Sequence, residues 1–277
     1  MNKQATIPLL ADDERLDEVN ERIRLIQKKQ GLTFGTDAYL LAAFIRPKVR
    51  AKAVDLGSGT GIIPLLLCAR DKVHSVRAVE VQASFADLIG RNAALNGFAD
   101  RITPLGMDLR DLTAEVLGGE VDLVCSNPPY LRADAGRNNL AEEKEIARHE
   151  IKGGILDFCA AASRILKSRG SFYCVWRADR LTDLLVSMRE CRLEPKRMIF
   201  VHADRTQEPC MVLVEGLKDA APSLRVMPPL FLYEEASKGE TSRVLTPEAE
   251  QIYQTCSFPW ELQNTNHKRR SNNHEKA

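Results

Sequence analysis

Asn127, Pro128, Pro129 and Tyr130 follow a short apolar run, EVDLVCS (120–126), and bring together an amide, two ring-locked backbone units and an aromatic face. The run reads as a buried strand. Proline cannot extend a sheet ladder, so the strand must stop there, with Asn127 held in a stiff turn at its carboxyl end. The Asn127 side-chain oxygen can accept one N–H, and the Pro128 carbonyl, its direction set by the prolines, can accept a second. Two acceptors on one planar amino group orient it and draw its nitrogen toward tetrahedral geometry. The lone pair, otherwise delocalised, is then aimed at an electrophile without a strong general base. Tyr130 offers a face on which a flat group stacks. The bland alternative is a plain turn.

A second constellation lies upstream. In VDLGSGTG (54–61), Gly57, Gly59 and Gly61 permit a tight turn and a close approach of backbone to ligand. Glu80 ends the next predicted strand, 19 residues past Gly61, where an acid can accept hydrogen bonds from two ribose hydroxyls. Asp55 precedes the first glycine and is a poor neighbour for a pyrophosphate but a good one for a cation. The turn also lacks the lysine of a P-loop. A ligand-free strand-to-helix turn is the alternative. After the third predicted strand comes GMDLRDL (106–112), with Asp108, or Asp111 in its place, as a further candidate acid.

The elements that position these groups follow from periodicity. RIRLIQ (22–27) alternates as a short strand, and TDAYLLAAFI (36–45) reads as a helix capped by Thr36 or Asp37, while residues 1–20 read as a loose lead-in. From residue 51 strands and helices alternate. Strands are expected at 51–56, 75–81, 101–107, 121–126, 171–176, 196–202 and 209–217, and helices at 62–71, 82–98, 155–170 and 180–191. Gly97 should stop the second of these helices and Gly170 the third. The last two strands have no helix between them and should pair antiparallel. This predicts an α/β fold with a seven-stranded, mostly parallel sheet, an antiparallel terminal strand and helices on both faces.

Composition narrows the setting. The 277 residues carry 44% hydrophobic and 28% charged side chains and a net charge of +1, ordinary for a globular protein and without a global footprint for nucleic acid. Seven scattered cysteines with no C-x-x-C pair read as reduced thiols, so no metal is expected. No signal peptide is visible and no apolar run approaches the ~18 residues of a membrane span. A cytoplasmic protein, more a monomer than an oligomer, is the expectation.

The pattern D-x-G-x-G-x-G, with an acid after the second strand, resembles the S-adenosylmethionine site of Rossmann-like class I methyltransferases. N-P-P-Y resembles the (D/N/S)-P-P-(Y/F/W) signature of those that act on planar amino groups. The resemblance implies S-adenosylmethionine as cofactor and in-line transfer of methyl from sulfur to nitrogen. It assigns Asp55, Gly57, Gly59, Gly61 and Glu80 to the cofactor, and Asp108 to the amine of the cofactor's adenine. RLIQKKQGLTFGTDAYLLAAF, ARHE (147–150), KRMIFVHADRTQEPCMVLVEGLKDA and PPLFLY are further similar to bacterial valine-tRNA adenine N6-methyltransferases, over roughly residues 15–235. That likeness implies an RNA partner and, as target, the adenosine 3′ of the anticodon. Phe34, Gly35, Thr36 and Asp37 match an N-terminal element lying over the cofactor, although a simple helix cap is the other reading. Arg132, Arg137, Arg148 and His149, in the polar loop 131–150, either grip RNA phosphates or sit in a solvated loop. The loop is expected to order on substrate binding. The corresponding division is an N-terminal extension over the cofactor site (1–45), a methyltransferase domain (46–235) and a C-terminal extension with a disordered polar tail (236–277). Beyond residue 245, including HKRR, the resemblance assigns no role. Ribosomal RNA, a protein glutamine, a small molecule and a non-catalytic scaffold remain alternatives. Against glutamine, only about fifty residues precede the first strand of the sheet, too few for a dedicated helical domain. Against a scaffold, Asn127 is intact.

Overall fold

The computed structural model describes residues 10–30, 35–129, 154–235 and 243–260. Of the loose lead-in expected over 1–20, residues 14–20 form a strand instead, and residues 1–9 lie outside the described residues. β1 (Glu14–Asn20) pairs antiparallel with β2 (Ile23–Lys28). This hairpin has an edge to cover, and two asparagines of α3 (Ala83–Leu95 and its cap) do so. The backbone N–H of Ile26 donates to Asn92 Oδ1 at 2.7 Å, and Asn92 Nδ2 donates back to the Ile26 carbonyl at 3.0 Å. Two residues along the strand, Arg24 exchanges the same pair of bonds with Asn96, at 2.9 and 2.7 Å. Side chains one helical turn apart thus stand in for a third strand and satisfy backbone groups that would otherwise be unpaired. α3 itself stops as the sequence predicts. Gly97 takes φ +75°, and the Phe98 and Gly97 N–H groups bond Ala93 O and Ala94 O at 2.7 and 3.1 Å.

The main sheet contains β3 (Lys52–Leu56), β4 (Ser75–Glu80), β5 (Ile102–Gly106), β6 (Val121–Ser126), β7 (Leu166–Arg177), β8 (Leu193–His202) and β9 (Pro209–Lys218). Two further strands, β10 (Arg225–Val226) and β11 (Leu230–Phe231), join the edge of β8. The order is β10-β8-β9-β7-β6-β3-β4-β5. All seven expected strands are present. The last of them, β9, is antiparallel to both neighbours but lies inside the sheet, between β7 and β8, rather than at its rim. The nine-strand count exceeds seven because two-residue strands carry no readable periodicity.

Strand residues alternate between two covered faces. Ala53, Leu123, Tyr173 and Val175 pack beneath α1 (Thr36–Phe44), α2 (Ile62–Ala69) and part of α3. Val54, Val124, Phe172 and Cys174 pack beneath α4 (Ile155–Ile165) and α5 (Leu181–Glu190). Burial on both faces explains the near-continuous apolar runs. α4 ends five residues before Gly170. The chain turns extended at Leu166, which is fully buried and pairs with Val121. Gly170 serves the bend that follows, since a Cβ there would stand 2.8 Å from Lys167 O.

The described N- and C-terminal segments do not sit apart from the core. α1 is fully buried over most of its length, and α6 (Pro247–Thr255) places Ala249 and Ile252 in the same apolar cluster. Two buried cations hold the C-terminal end of α1. Lys72 Nζ donates to the carbonyls of Ala42, Ala43 and Ile45 at 2.8–3.0 Å. Arg197 donates to Phe44 O and to Glu215, each at 2.7 Å. Cations belong at that end of a helix, where carbonyls lack partners and the dipole is negative. Among the described residues no helix is long and apolar enough to cross a membrane.

Candidate active site

The carboxyl ends of β3, β4 and β6 meet at a cavity of about 920 Å³. Register decides what reaches it. β3 and β6 pair with Leu56 opposite Ser126, and Ser126 Oγ donates to Leu56 O at 2.8 Å. The next residues on the two strands, Gly57 and Asn127, therefore enter the cavity wall side by side. An open parallel sheet binds its ligands at such a place.

The glycine turn is built for close approach. Gly57, Gly59 and Gly61 have φ of +71°, +55° and +83°. The N–H groups of Gly57 and Ser58 both donate to Val79 O at 3.0 Å, which ties the turn to β4. Glu80 closes it. Its carboxylate accepts from Gly59 N at 3.0 Å and from Gln82 N at 2.9 Å while lining the cavity. A side chain at Gly57 would press on the Phe158 ring of α4 at 3.3 Å.

Not every predicted residue reaches the wall. Gly57, Gly59, Glu80, Asp108, Asp37, Asn127, Pro128 and Pro129 line the cavity. Asp55 does not. It is fully buried behind the turn, accepting from Ser58 Oγ at 2.6 Å and more weakly from the Cys125 thiol at 3.5 Å. Burial raises its pKa to about 6 against those hydrogen bonds, and the charge of Glu80 pushes the same way. Ser58 thus stands between Asp55 and any ligand. Gly61 is also set back, packed where a Cβ would meet Ile89 of α3 at 3.3 Å. Thr36 is the first residue of α1 and lies off the wall, between Gly35 and Asp37, which are on it. Neither Thr36 nor Asp37 is the cap residue, a place taken by Gly35 without a side-chain bond. Asp108 lines the cavity whereas its alternative Asp111 does not, and the Arg110 guanidinium bonded to it holds its pKa below the ordinary value. Phe34, Tyr130, Arg132, Arg137, Arg148 and His149 lie outside the described residues.

Sequence reasoning missed the opposite wall. Arg177, which ends β7, and Asp179, which pairs with it at 2.6 Å, complete the cavity with Phe158 and with Pro209–Met211 at the start of β9. No local pattern marks them. Only the antiparallel insertion of β9 brings its first residues to the end where the parallel strands finish.

The described lining holds four carboxylates (Asp37, Glu80, Asp108, Asp179) against one guanidinium (Arg177), with Asp55 behind. Such a set disfavours a polyphosphate and suits a cationic ligand carrying a diol and an amine. It fits S-adenosylmethionine: Glu80 could hold the ribose, Asp108 the adenine side, and the turn and Asp37 the amino-acid end.

Residues 29–190 match the family described as methyltransferase small domain. A tRNA1(Val) (adenine(37)-N6)-methyltransferase of Porphyromonas gingivalis is 29% identical over 201 residues, covering 70% of this chain and 78% of that one. Its counterpart from Phocaeicola vulgatus is 30% identical over 183 residues, 65% of this chain and 74% of the relative. Among solved structures, a predicted O-methyltransferase of Agrobacterium tumefaciens aligns with a TM-score of 0.62 at 20% identity, over 80% of this chain and 97% of the other. At that identity the likeness is one of fold.

Proposed function

The chain belongs to the methyltransferase small domain family and, within it, to the tRNA1(Val) (adenine(37)-N6)-methyltransferases, and from that premise we propose that it methylates N6 of an adenine in tRNA, the adenosine 3′ of a valine anticodon. The observation that carries the chemistry is Asn127 beside Gly57 on one cavity wall. When bound, S-adenosylmethionine supplies an electrophilic methyl group. Asn127 Oδ1 accepts one N–H of the adenine amine and the Pro128 carbonyl accepts the other. The nitrogen is thereby oriented and its lone pair aimed, and its surplus proton passes to solvent after transfer. Positioning and fixed dipoles do this work without a strong base. A base inside a folded anticodon loop must leave its stack to reach this depth, and Tyr130 supplies a ring for it. Pro209–Met211 and the Arg177–Asp179 pair form the wall against which the purine edge is read. Asp55 stabilises the cofactor's positive charge through Ser58, and residues 131–150, with Arg132, Arg148 and His149, take phosphates flanking the target. The enzyme works as a cytoplasmic monomer without a metal.

The test is incubation with methyl-labelled S-adenosylmethionine and tRNA lacking this modification, followed by nucleoside analysis. Label in N6-methyladenosine, confined to valine tRNA, is the expected outcome. Cofactor binding without label in any tRNA would overturn the substrate and redirect the search to ribosomal RNA and protein glutamine.

A further inference from the structure

We propose that Tyr253, on the C-terminal helix, is a positioning residue of the cofactor site that acts through Thr36, a role that rests on the cofactor reading above. Tyr253 lies outside the family match at 29–190, in a segment the resemblance left without a role. α6 is nevertheless a built element. Thr246 caps it, accepting from Ala249 N at 3.2 Å and donating to Phe231 O at 2.7 Å, and Pro247 opens it. Ala249, Ile252, Cys256 and Phe258 are fully buried, and Phe258 meets Phe44 of α1 edge-on at 6.0 Å.

Three polar contacts then fix its register. Tyr39 Oη donates to Tyr253 O at 2.7 Å, Arg70 donates to Gln254 O at 2.5 Å, and Tyr253 Oη donates to Thr36 Oγ1 at 3.0 Å. The two tyrosine rings lie 5.0 Å apart. Burial pushes the Tyr253 phenol pKa up, so the donor keeps its proton.

Thr36 begins α1, and its neighbours Gly35 and Asp37 both line the cavity. The two ends of α1 are held differently. Lys72 and Arg197 bind four carbonyls at its C-terminal end, deep in the core. The N-terminal end has no side-chain cap at Gly35; Tyr39 ties the end of its first turn to the α6 backbone, and the Tyr253 hydroxyl bond to Thr36 ties its first residue. Removing that hydroxyl loosens Thr36, and with it the Gly35–Asp37 wall, while the Tyr39 bond and the buried cations keep the helix in place. The effect falls on cofactor affinity and spares the turnover of the filled site.

The experiment is calorimetric titration of the full chain with S-adenosylhomocysteine, beside steady-state kinetics in cofactor. Tyr253→Phe should raise Kd and the cofactor KM roughly three- to tenfold, the worth of one neutral hydrogen bond, with kcat unchanged. Thr36→Val should match it, Thr36→Ser should retain wild-type affinity, and the Tyr253→Phe/Thr36→Val double variant should lose no more than either single one. Wild-type affinity in Tyr253→Phe, or additive losses in the double variant, would overturn the proposal. Failure of the unmodified chain to bind S-adenosylhomocysteine would instead overturn the cofactor reading on which it rests.

Discussion

Two buried acids, Glu14 and Asp55, are held in opposite ways. Glu14 sits where the hairpin meets α3 and takes both Arg91 amino groups at 2.8 Å, with the Ala11 N–H at 2.9 Å and Lys28 at 3.6 Å. The Arg91 hydrogen bond is the main reason its pKa falls to about 2. Asp55 is fully buried, has a hydroxyl and a thiol for partners and forms no ion pair among the described residues. Burial lifts its pKa to about 6. A carboxylate that serves the fold is neutralised by the protein. Asp55, one residue behind the cavity wall, has no such neutralising partner among the described residues, which is what the proposed cationic cofactor would supply.

The comparison is sharpest where function and stability separate. Asn127→Ala should cut methyl transfer by about 10²–10³-fold or more, the scale of losing a preorganised dipole, while the Kd for S-adenosylhomocysteine stays put. Single-turnover kinetics with calorimetry checks this, and a parallel loss of cofactor binding would merge two roles that are here distinct. Glu14→Gln should do the reverse. It should cost about 2–3 kcal/mol in urea unfolding, as for a charge-assisted pair, and leave cofactor affinity alone.

Glu80→Ala should weaken cofactor binding by about 1–3 kcal/mol through lost hydrogen bonds to a charged group. Unchanged affinity would remove Glu80 from the site. Asp55→Asn should stabilise the empty protein at pH 7 by up to about 3 kcal/mol, because the raised pKa means the ionised form is penalised on folding. The same variant should bind cofactor more weakly, and a destabilised variant would show that Asp55 belongs with Glu14.

The pH dependence separates the two acids by sign. Asp55 binds more protons folded than unfolded between its ordinary value of 3.8 and about 6, so its contribution to stability rises as pH falls through that window. The Glu14 contribution is complete above its ordinary value of 4.5 and is lost as pH falls toward 2. Chemical denaturation of the wild type and of each variant between pH 3 and 7 measures both slopes. Asp55→Asn should abolish the first and leave the second.

Much of the site was readable because it is local. The positive-φ glycines, the acid ending β4 and the prolines that halt β6 are each a few residues of chemistry attached to a strand whose apolar run is itself visible. By spacing Asp55 reads as a cation's neighbour, yet the side chain facing the cavity is Ser58, a distinction of one turn that spacing does not encode. The hairpin strand β1 escaped notice because its sequence, ERLDEVN, is mostly polar and only one face meets the protein.

What the sequence determined by itself was the alternation of strands and helices and the placing of an amide and an acidic glycine turn at strand ends, since periodicity, glycine and proline act within a few residues. Tertiary structure decided which strand ends become neighbours, so that Leu56 lies opposite Ser126 and Asn127 enters beside Gly57. It also set β9 between β7 and β8, bringing Pro209–Met211 to the cavity, and laid α6 on α1 so that Tyr253 reaches Thr36, 217 residues away in sequence. Those contacts depend on how buried faces fit one another across the chain, and side-chain shape at that range leaves no periodic trace along it.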